Sequence, residues 1–193
     1  MPDENDLTDP RAQQAYIQAI DEFRRQKDAF FGASQQSPIP ATERSGAFAG
    51  LVYFPPDPAY RVVASVVPFE RQEIVSLGST QGDIRPQLRY GELRFSLGGA
   101  ELRLTAFKDV DDPEGAEVFV PFRDATSGAE SYGSGRYLET HLDEDDDGAT
   151  TAVLDFNLAY NPWCAYNDRY SCTLPPQENT LAVAIRAGER PYH

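Results

Sequence analysis

The hydrophobic positions near the start of the chain repeat with a helical period. Apolar side chains recur every three or four residues, at Tyr16, Ile17, Ile20, Phe23, Phe30 and Phe31. Thr8 or Asp9 before a proline is typical of a helix start, and Gly32 is a residue type that ends helices. The pattern therefore predicts an N-terminal helix over residues 10–32, after a disordered polar tail over residues 1–9.

After a polar connection over residues 33–46, the pattern changes to short runs of alternating apolar and polar positions. Turn residues separate the runs, and Gly98-Gly99 between two of them is a strong hairpin signal. Nine strands are predicted, over residues 48–54, 60–69, 73–77, 88–97, 101–108, 118–122, 136–140, 151–155 and 181–185. No strand–helix alternation occurs, which argues against a parallel nucleotide-binding sheet. The predicted fold is mainly β, an antiparallel β-barrel or sandwich, in a single domain over residues 47–193.

A long segment near the C-terminus, residues 155–179, shows neither the helical repeat nor the strand alternation of apolar positions. It contains the only Trp, both Cys, three Tyr and four Asn of this part of the chain. Flexible linkers are poor in aromatic residues, so this composition indicates a long loop that is ordered by its own packing. Ordered long loops frequently carry function, and we expect a site here.

The composition is strongly acidic, with 31 Asp and Glu against 17 Lys and Arg and a net charge of −14. Such a field repels nucleic acid and anionic membranes, so neither is expected as a partner. The acidity fits either a functional patch for a cation or basic partner, or a surface adapted to high salt. The acidic residues are spread along the whole chain and Lys is scarce, which favours salt adaptation.

Nothing in the sequence suggests export or membrane insertion. No stretch approaches about 18 apolar residues, and the acidic N-terminus lacks the apolar core of a signal peptide. We therefore expect a cytoplasmic protein in which Cys164 and Cys172 are thiols, most simply as small buried hydrophobic residues.

Two metal-binding patterns are incomplete. Residues 143–148 match part of a calcium loop, but Leu154 stands where the pattern needs Glu, so a hairpin turn is the favoured reading. A zinc site would need both cysteines together with His141 and the terminal His193.

The segment over residues 121–138 places Arg123 and Arg136 around a glycine-rich turn. Arginine forks and turn amides can hold a phosphate or a carboxylate. The same residues also fit an Asx-type turn at Asp124, with each arginine paired to a carboxylate of the chain. Both readings stay open from the residues alone.

These segments resemble a known family. The motifs that carry the resemblance are Phe122-Arg-Asp-Ala-Thr-Ser-Gly128, Tyr132-Gly-Ser-Gly-Arg-Tyr-Leu138, Leu154-Asp-Phe-Asn-Leu-Ala-Tyr-Asn-Pro162 and Ile185-Arg-Ala-Gly-Glu189. They are similar to DUF1684, a bacterial and archaeal family of unknown function. The resemblance implies a mostly β fold with an N-terminal helix, and loosely suggests phosphatase-like activity on nucleotides.

Together these features give one leading hypothesis, metal-assisted phosphoester hydrolysis on a nucleotide-like substrate. The candidate catalytic residues, as general base or as ligands of a divalent cation, are Asp124, Asp155 and Glu178. Phosphate oxygens would contact Arg123 and Arg136. The other substrate-binding candidates are Tyr132, Asn157, Tyr160, Asn161, Tyr166 and Asn179, with Trp163 as a further wall. The alternative is a non-catalytic ligand-binding or structural β-barrel, in which both arginines are buried in internal ion pairs. The substrate, the metal and the oligomeric state stay open.

Overall fold

A computed structural model describes residues 7–145 and 148–193, with the backbone alone for residues 45–47. Most of the predicted polar tail and part of the calcium-like loop therefore lie outside the described residues. Helix α1 spans Pro10–Ala33 and begins where the Asp9 carboxylate accepts a hydrogen bond from the Arg11 N–H, at 3.2 Å. It continues through Gly32, where an added Cβ would lie 3.0 Å from the Phe48 ring. This glycine therefore makes room for an aromatic ring and does not end the helix. A short helix α2 follows at Ala41–Ala47.

The main body is a closed barrel of six antiparallel strands, which confirms the predicted fold class. The strands are β1 Arg61–Gly78, β2 Ile84–Leu97, β3 Ala100–Lys108, β4 Glu117–Phe122, β5 Arg136–Glu144 and β6 Thr150–Asp155. Each strand pairs with the next along the chain, and β6 returns to β1 with Arg61 opposite Asp155. The barrel therefore has no free sheet edge along the β1–β6 seam.

The described residues form six strands where nine were predicted. The predicted strands at 60–69 and 73–77 are one strand, β1, whose pairing with β2 shifts register between Pro68 and Glu73. Proline has no N–H to donate to the ladder, which explains the irregularity there. Residues 48–54 and 181–185 form no strand: Tyr53 makes one isolated bridge to Glu189, and Leu181 and Ile185 pack into the core cluster without a ladder partner.

The barrel interior is filled by side chains. One core cluster contains the small residues Ala64, Ala106 and Ala152 together with larger residues such as Leu93 and Leu154, all at most 1% exposed. Gly98 and Gly99 have φ of 59° and 81°, so the β2–β3 connection is the tight hairpin turn that the sequence predicted. Because the core is packed, a ligand site has to lie outside the barrel.

Residues 156–193 form a long ordered segment that wraps the barrel without a regular strand. It contains three short 3₁₀ turns, at Phe156–Leu158, Trp163–Ala165 and Gln177–Asn179. Backbone hydrogen bonds tie it to the barrel, including one from the Leu174 N–H to the Gly78 carbonyl at 2.8 Å. The side chains proposed as a site lie on this segment, on the loop between β4 and β5, and at the adjoining ends of β5 and β6.

Candidate functional site

The Arg136 guanidinium is buried at the start of β5, where it holds the C-terminal segment in place. Its Nη2 donates to the Asp124 carboxylate at 2.9 Å and to the Ile185 carbonyl at 2.8 Å. Its Nη1 donates to the carbonyls of Ala187 and Glu189. Both side chains of the ion pair are 1% exposed. A buried ion pair of this kind cannot contact a ligand, so the structure favours an internal role for Asp124 and Arg136 over substrate binding.

Asp124 also organises the loop that follows β4. One carboxylate oxygen accepts hydrogen bonds from the N–H of Thr126, at 2.7 Å, and of Ile185, at 3.2 Å. The first of these is the Asx-type turn considered from the sequence. The second oxygen is occupied by Arg136. The carboxylate is therefore engaged on both sides.

A second buried cluster centres on the Glu189 carboxylate. One oxygen accepts hydrogen bonds from the Asn161 N–H, at 2.8 Å, and from the Tyr166 hydroxyl. The other oxygen pairs with Lys27 of α1. Burial, together with this carboxylate, raises the pKa of Tyr166 well above its usual value. Asn161 and Tyr166, predicted to bind substrate, are both engaged by this carboxylate, and Lys27 links the cluster to α1.

Sequence reasoning missed Lys27 and Glu189 as members of this cluster. Glu189 ends the motif over residues 185–189, and Lys27 is one of only two lysines in the chain. Those two facts were the available signals. More than 160 residues separate Lys27 from Glu189, so no local pattern in the sequence indicates that the two side chains are in contact.

The third cluster joins α1 to the end of β6. The Tyr16 hydroxyl donates to the Asp155 carboxylate at 2.8 Å, and Asn157 Nδ2 donates to that hydroxyl at 2.8 Å. Asn157 also exchanges hydrogen bonds with the Asp57 backbone, at 2.8 and 2.9 Å. Burial raises the pKa of Asp155 despite these hydrogen bonds. Every polar atom of the Asn157 amide is engaged, so its position is explained by fastening the helix.

Asn179 fills a gap in the barrel wall between β3 and β4, which share a single registered pair. Its Oδ1 accepts from the Thr105 N–H at 2.7 Å, and its Nδ2 donates to the carbonyls of Thr105 and Pro121 at 2.9 and 2.8 Å. The side-chain amide thus takes the place of a missing strand pair. Its neighbour Glu178 is exposed and forms an ion pair with Arg89 at 3.1 Å.

The remaining predicted residues are not brought together with these clusters. Arg123 is exposed and has no ion pair with a described carboxylate; its backbone pairs with the segment around Thr180. The Tyr160 hydroxyl donates to Glu139 at 2.7 Å. The Tyr132 hydroxyl lies 3.7 Å from the Cys164 sulfur, and burial raises the pKa of Tyr132 to about 12. The candidates are therefore distributed over separate clusters rather than around one open cavity.

An open cavity of about 320 Å³ does occur beside the C-terminal segment, and aromatic rings form its walls. Tyr137 and Tyr160 meet edge to face at 5.7 Å, as do Trp163 and Tyr170 at 5.1 Å. Trp163 is 44% exposed, although Trp is highly buried on average. The other lining residues are Arg85, Pro162, Ser171, Cys172 and Thr173. We call this the aromatic cavity.

Arg85 is the one charged residue among the described residues that line the aromatic cavity. Its Nη2 contacts the Asp83 carboxylate at 2.9 Å and the Ser171 carbonyl at 3.2 Å. Both contacts use the same nitrogen, so Nε and Nη1 offer further donors. The wall thus combines ring surfaces with a guanidinium.

The two cysteines lie under one edge of the cavity. The Cys164 N–H donates to the Cys172 sulfur at 3.1 Å, and both thiols are free. A hydrogen bond from the Cys172 thiol lowers the pKa of Cys164 to about 6, and the same bond raises the pKa of Cys172. Within residues 7–145 and 148–193, no group of three or more His, Cys, Asp or Glu side chains could hold a metal ion. The two cysteines therefore form a pair, with no third ligand close by in this part of the chain.

The fold and these contacts define a small closed β-barrel protein with a docked N-terminal helix and an aromatic cavity on its outer face. Comparison with family models places it further: the chain belongs to the DUF1684 family, described as a protein of unknown function, whose model matches residues 46–190. No curated protein matches the chain. None of the described helices is long and apolar enough to cross a membrane.

A solved structure has a similar sequence and fold. It is the solution NMR structure of an uncharacterized protein from gene locus rrnAC0354 of Haloarcula marismortui, which is 44% identical in sequence to this chain and superposes with a TM-score of 0.70. The match covers 93% of this chain and 96% of that chain. That organism is a halophilic archaeon, which supports the prediction of a salt-adapted surface.

Proposed function

We propose that the protein binds a small organic ligand in the aromatic cavity without catalysing a reaction on it. The observation that carries the proposal is the exposed Trp163 in a wall of four aromatic rings, beside a cavity of about 320 Å³. Ligand sites are concave, mostly apolar and of about 300–1,000 Å³, with a few polar groups that fix orientation. The aromatic cavity has each of these properties.

The lining indicates the chemistry of the ligand. Aromatic side chains that are open to solvent present faces on which a planar ring can stack, at about 1–3 kcal/mol per base in nucleic-acid complexes. Arg85 offers unused donors to one carboxylate or phosphate group. We therefore propose a ring-bearing ligand with a single anionic group. Asp83 already pairs with Arg85, so the unused guanidinium donors, and not a net positive charge, are the feature that selects an anionic group.

The three carboxylates considered as catalytic groups, Asp124, Asp155 and Glu178, are already engaged by other residues, which favours ligand binding over hydrolysis. Asp124 is engaged on both oxygens, and the Asp155 carboxylate accepts hydrogen bonds from the Tyr16 hydroxyl, which lies near both of its oxygens, and from the Asn157 N–H. Glu178 is paired with Arg89 and does not line the aromatic cavity. A general base must reach the proton that it removes, and none of these carboxylates lies among the cavity's lining residues. The proposal includes a cytoplasmic location, where both cysteines are thiols in the resting protein.

Trp163 makes the test direct, because it is the only Trp in the sequence. Its fluorescence should change on titration with adenosine 5′-monophosphate, uridine 5′-monophosphate or benzoate in molar KCl. Tyr170→Leu should raise Kd about tenfold, since it removes a stacking wall. Arg85→Gln should raise Kd for adenosine 5′-monophosphate by a similar factor, with no effect on neutral adenosine.

Arg71→Gln is the matched control, because Arg71 is exposed, pairs with Glu73 and lies outside the cavity. It should leave every titration unchanged. The proposal is wrong if none of the three probes alters the fluorescence, or if Tyr170→Leu binds them as tightly as the wild type. Phosphate release from adenosine 5′-monophosphate above the buffer rate would instead favour hydrolysis.

A further inference from the structure

The only two cysteines of the sequence lie side by side although seven residues separate them. The Cys172 sulfur is 3.1 Å from the backbone nitrogen of Cys164, one bond from the Cα that carries the other thiol. The 3₁₀ turn at Trp163–Ala165 fixes Cys164. Cys172 is fixed by two bonds to Thr80, from its N–H to the hydroxyl at 3.1 Å and from the Thr80 N–H to its carbonyl at 2.9 Å. The barrel therefore holds both thiols in place.

We propose that Cys164 and Cys172 form a redox-active dithiol that a hydroperoxide oxidises to an intramolecular disulfide. The contact between the two residues provides the proximity that a disulfide needs. Cys172 lines the aromatic cavity, which brings a small oxidant to the pair, and Cys164 lies against Cys172 with 7% of its surface exposed. Simple packing of two small hydrophobic residues would not require the sulfur of one to accept a hydrogen bond from the backbone of the other.

The two thiols have different roles. The Cys172 thiol and the Tyr132 hydroxyl both lie where they can donate to the Cys164 sulfur, which stabilises its thiolate and lowers its pKa. Thiolates are the nucleophilic form of cysteine. Cys164 is therefore the attacking residue, and Cys172 is the resolving residue.

The chemistry is balanced in two steps. The Cys164 thiolate attacks one oxygen of hydrogen peroxide, the O–O bond breaks, and a sulfenic acid and hydroxide result. The Cys172 sulfur then attacks the Cys164 sulfur, the S–O bond breaks, and a disulfide and water form. Overall two thiols lose two electrons and two protons, and one peroxide becomes two waters. A dithiol reductant reverses the change by thiol–disulfide exchange.

The disulfide would close a ring over residues 164–172, next to Trp163 and including Tyr170. These two rings form one wall of the aromatic cavity, so oxidation would restrict the segment that carries the wall. The inference rests on the contact between the cysteines and not on ligand binding. It can therefore be right or wrong independently of the proposed function.

The test uses the whole native protein without ligand. After treatment with one equivalent of hydrogen peroxide, the protein is denatured, alkylated with N-ethylmaleimide and weighed by intact-mass spectrometry. We expect the loss of two hydrogens, no alkylation, and recovery of two alkylation sites after dithiothreitol. Native protein that still takes up two N-ethylmaleimide groups after peroxide would overturn the proposal, as would disulfide-linked dimers.

Two single variants separate the roles of the thiols. Cys172→Ser lacks the resolving thiol, so the sulfenic acid at Cys164 should persist and be trapped by dimedone. In Cys164→Ser, the remaining thiol should react at least about tenfold more slowly at pH 7, because it lacks the thiolate character of Cys164. Equal trapping in the two variants would show that Cys164 is not the attacking residue and would overturn the assigned roles.

Discussion

The buried ion pair between Arg136 and Asp124 gives the sharpest test of how the C-terminal segment is held. Arg136→Met removes the donor of four hydrogen bonds and leaves the Asp124 charge buried, with its side chain 1% exposed. Breaking a buried pair in this way costs about 3–5 kcal/mol. Because a domain is stable by only about 5–15 kcal/mol, the loss is a large fraction of the free energy of unfolding.

For a chain of this length the same loss lowers Tm by about 6–20 °C. We would measure it by urea unfolding in molar KCl, because urea leaves the ionic strength constant while guanidinium does not. Trp163 fluorescence and far-ultraviolet circular dichroism give two independent probes of the same transition. Arg136→Lys should lose part of this stability, since an ammonium keeps the charge but cannot reproduce the planar fork.

Arg186→Met is the matched control, because Arg186 also pairs with a carboxylate, Glu130, but with its side chain 56% exposed. Exposed pairs of this type contribute little, and the variant should unfold at the wild-type urea concentration. The double variant Asp124→Asn with Arg136→Met should lose less than the sum of the two single changes, because no unpaired charge remains. If Arg136→Met were as stable as Arg186→Met, the internal role of Arg136 would be refuted and anion binding would regain support.

Three further predictions concern the other clusters and the surface. Asn179→Ala should lower the free energy of unfolding by about 3 kcal/mol, because it leaves a buried N–H and two carbonyls without their partner; urea unfolding identical to that of the wild type would contradict this. Burial raises the pKa of Asp155 above its ordinary value of 3.8, so its contribution to stability is present below 3.8 and is lost as the pH rises through the folded-state pKa. Asp155→Asn should therefore gain stability relative to the wild type between pH 4 and pH 7, and a difference that does not change with pH would exclude this assignment. The Tm should fall when molar KCl is replaced by dilute buffer, because the net charge of −14 is then unscreened; the same Tm in both would refute salt adaptation.

The fold was accessible from the sequence because strands and turns leave local signals. Alternating apolar positions identified the strands of the barrel, and Gly98-Gly99 identified the hairpin between β2 and β3. Residues 48–54 and 181–185 were wrongly predicted as strands. Their apolar residues are spaced as in a strand, but the segments do not pair in a β-ladder. Hydrophobic alternation reports burial of one face, and an irregular segment packed against a hydrophobic cluster has the same property.

The site was less accessible, because the same polar residue types serve two purposes. Arg136 was predicted to contact phosphate, whereas its partners in the structure are Asp124 and three backbone carbonyls about fifty residues later, which no side-chain pattern encodes. Asn179 stands in for strand pairing through its amide, again with backbone partners. An irregular segment that is buried must satisfy its backbone with such side chains. Polar residues in a long ordered loop therefore indicate hydrogen bonds to the loop's own backbone at least as strongly as they indicate a ligand-binding site.

The two lysines of the sequence are both turned inward, and this has a practical consequence. Lys27 pairs with Glu189 between the rings of Phe31 and Tyr160, with its side chain 17% exposed. Lys108 is 6% exposed, lies over the Tyr90 ring and donates to the Pro113 carbonyl. Every other cationic side chain is an arginine. The rate at which an amine-directed reagent acylates each lysine therefore measures local opening of the fold. Acylation of Lys27 would report release of α1, and acylation of Lys108 would report opening beside β3.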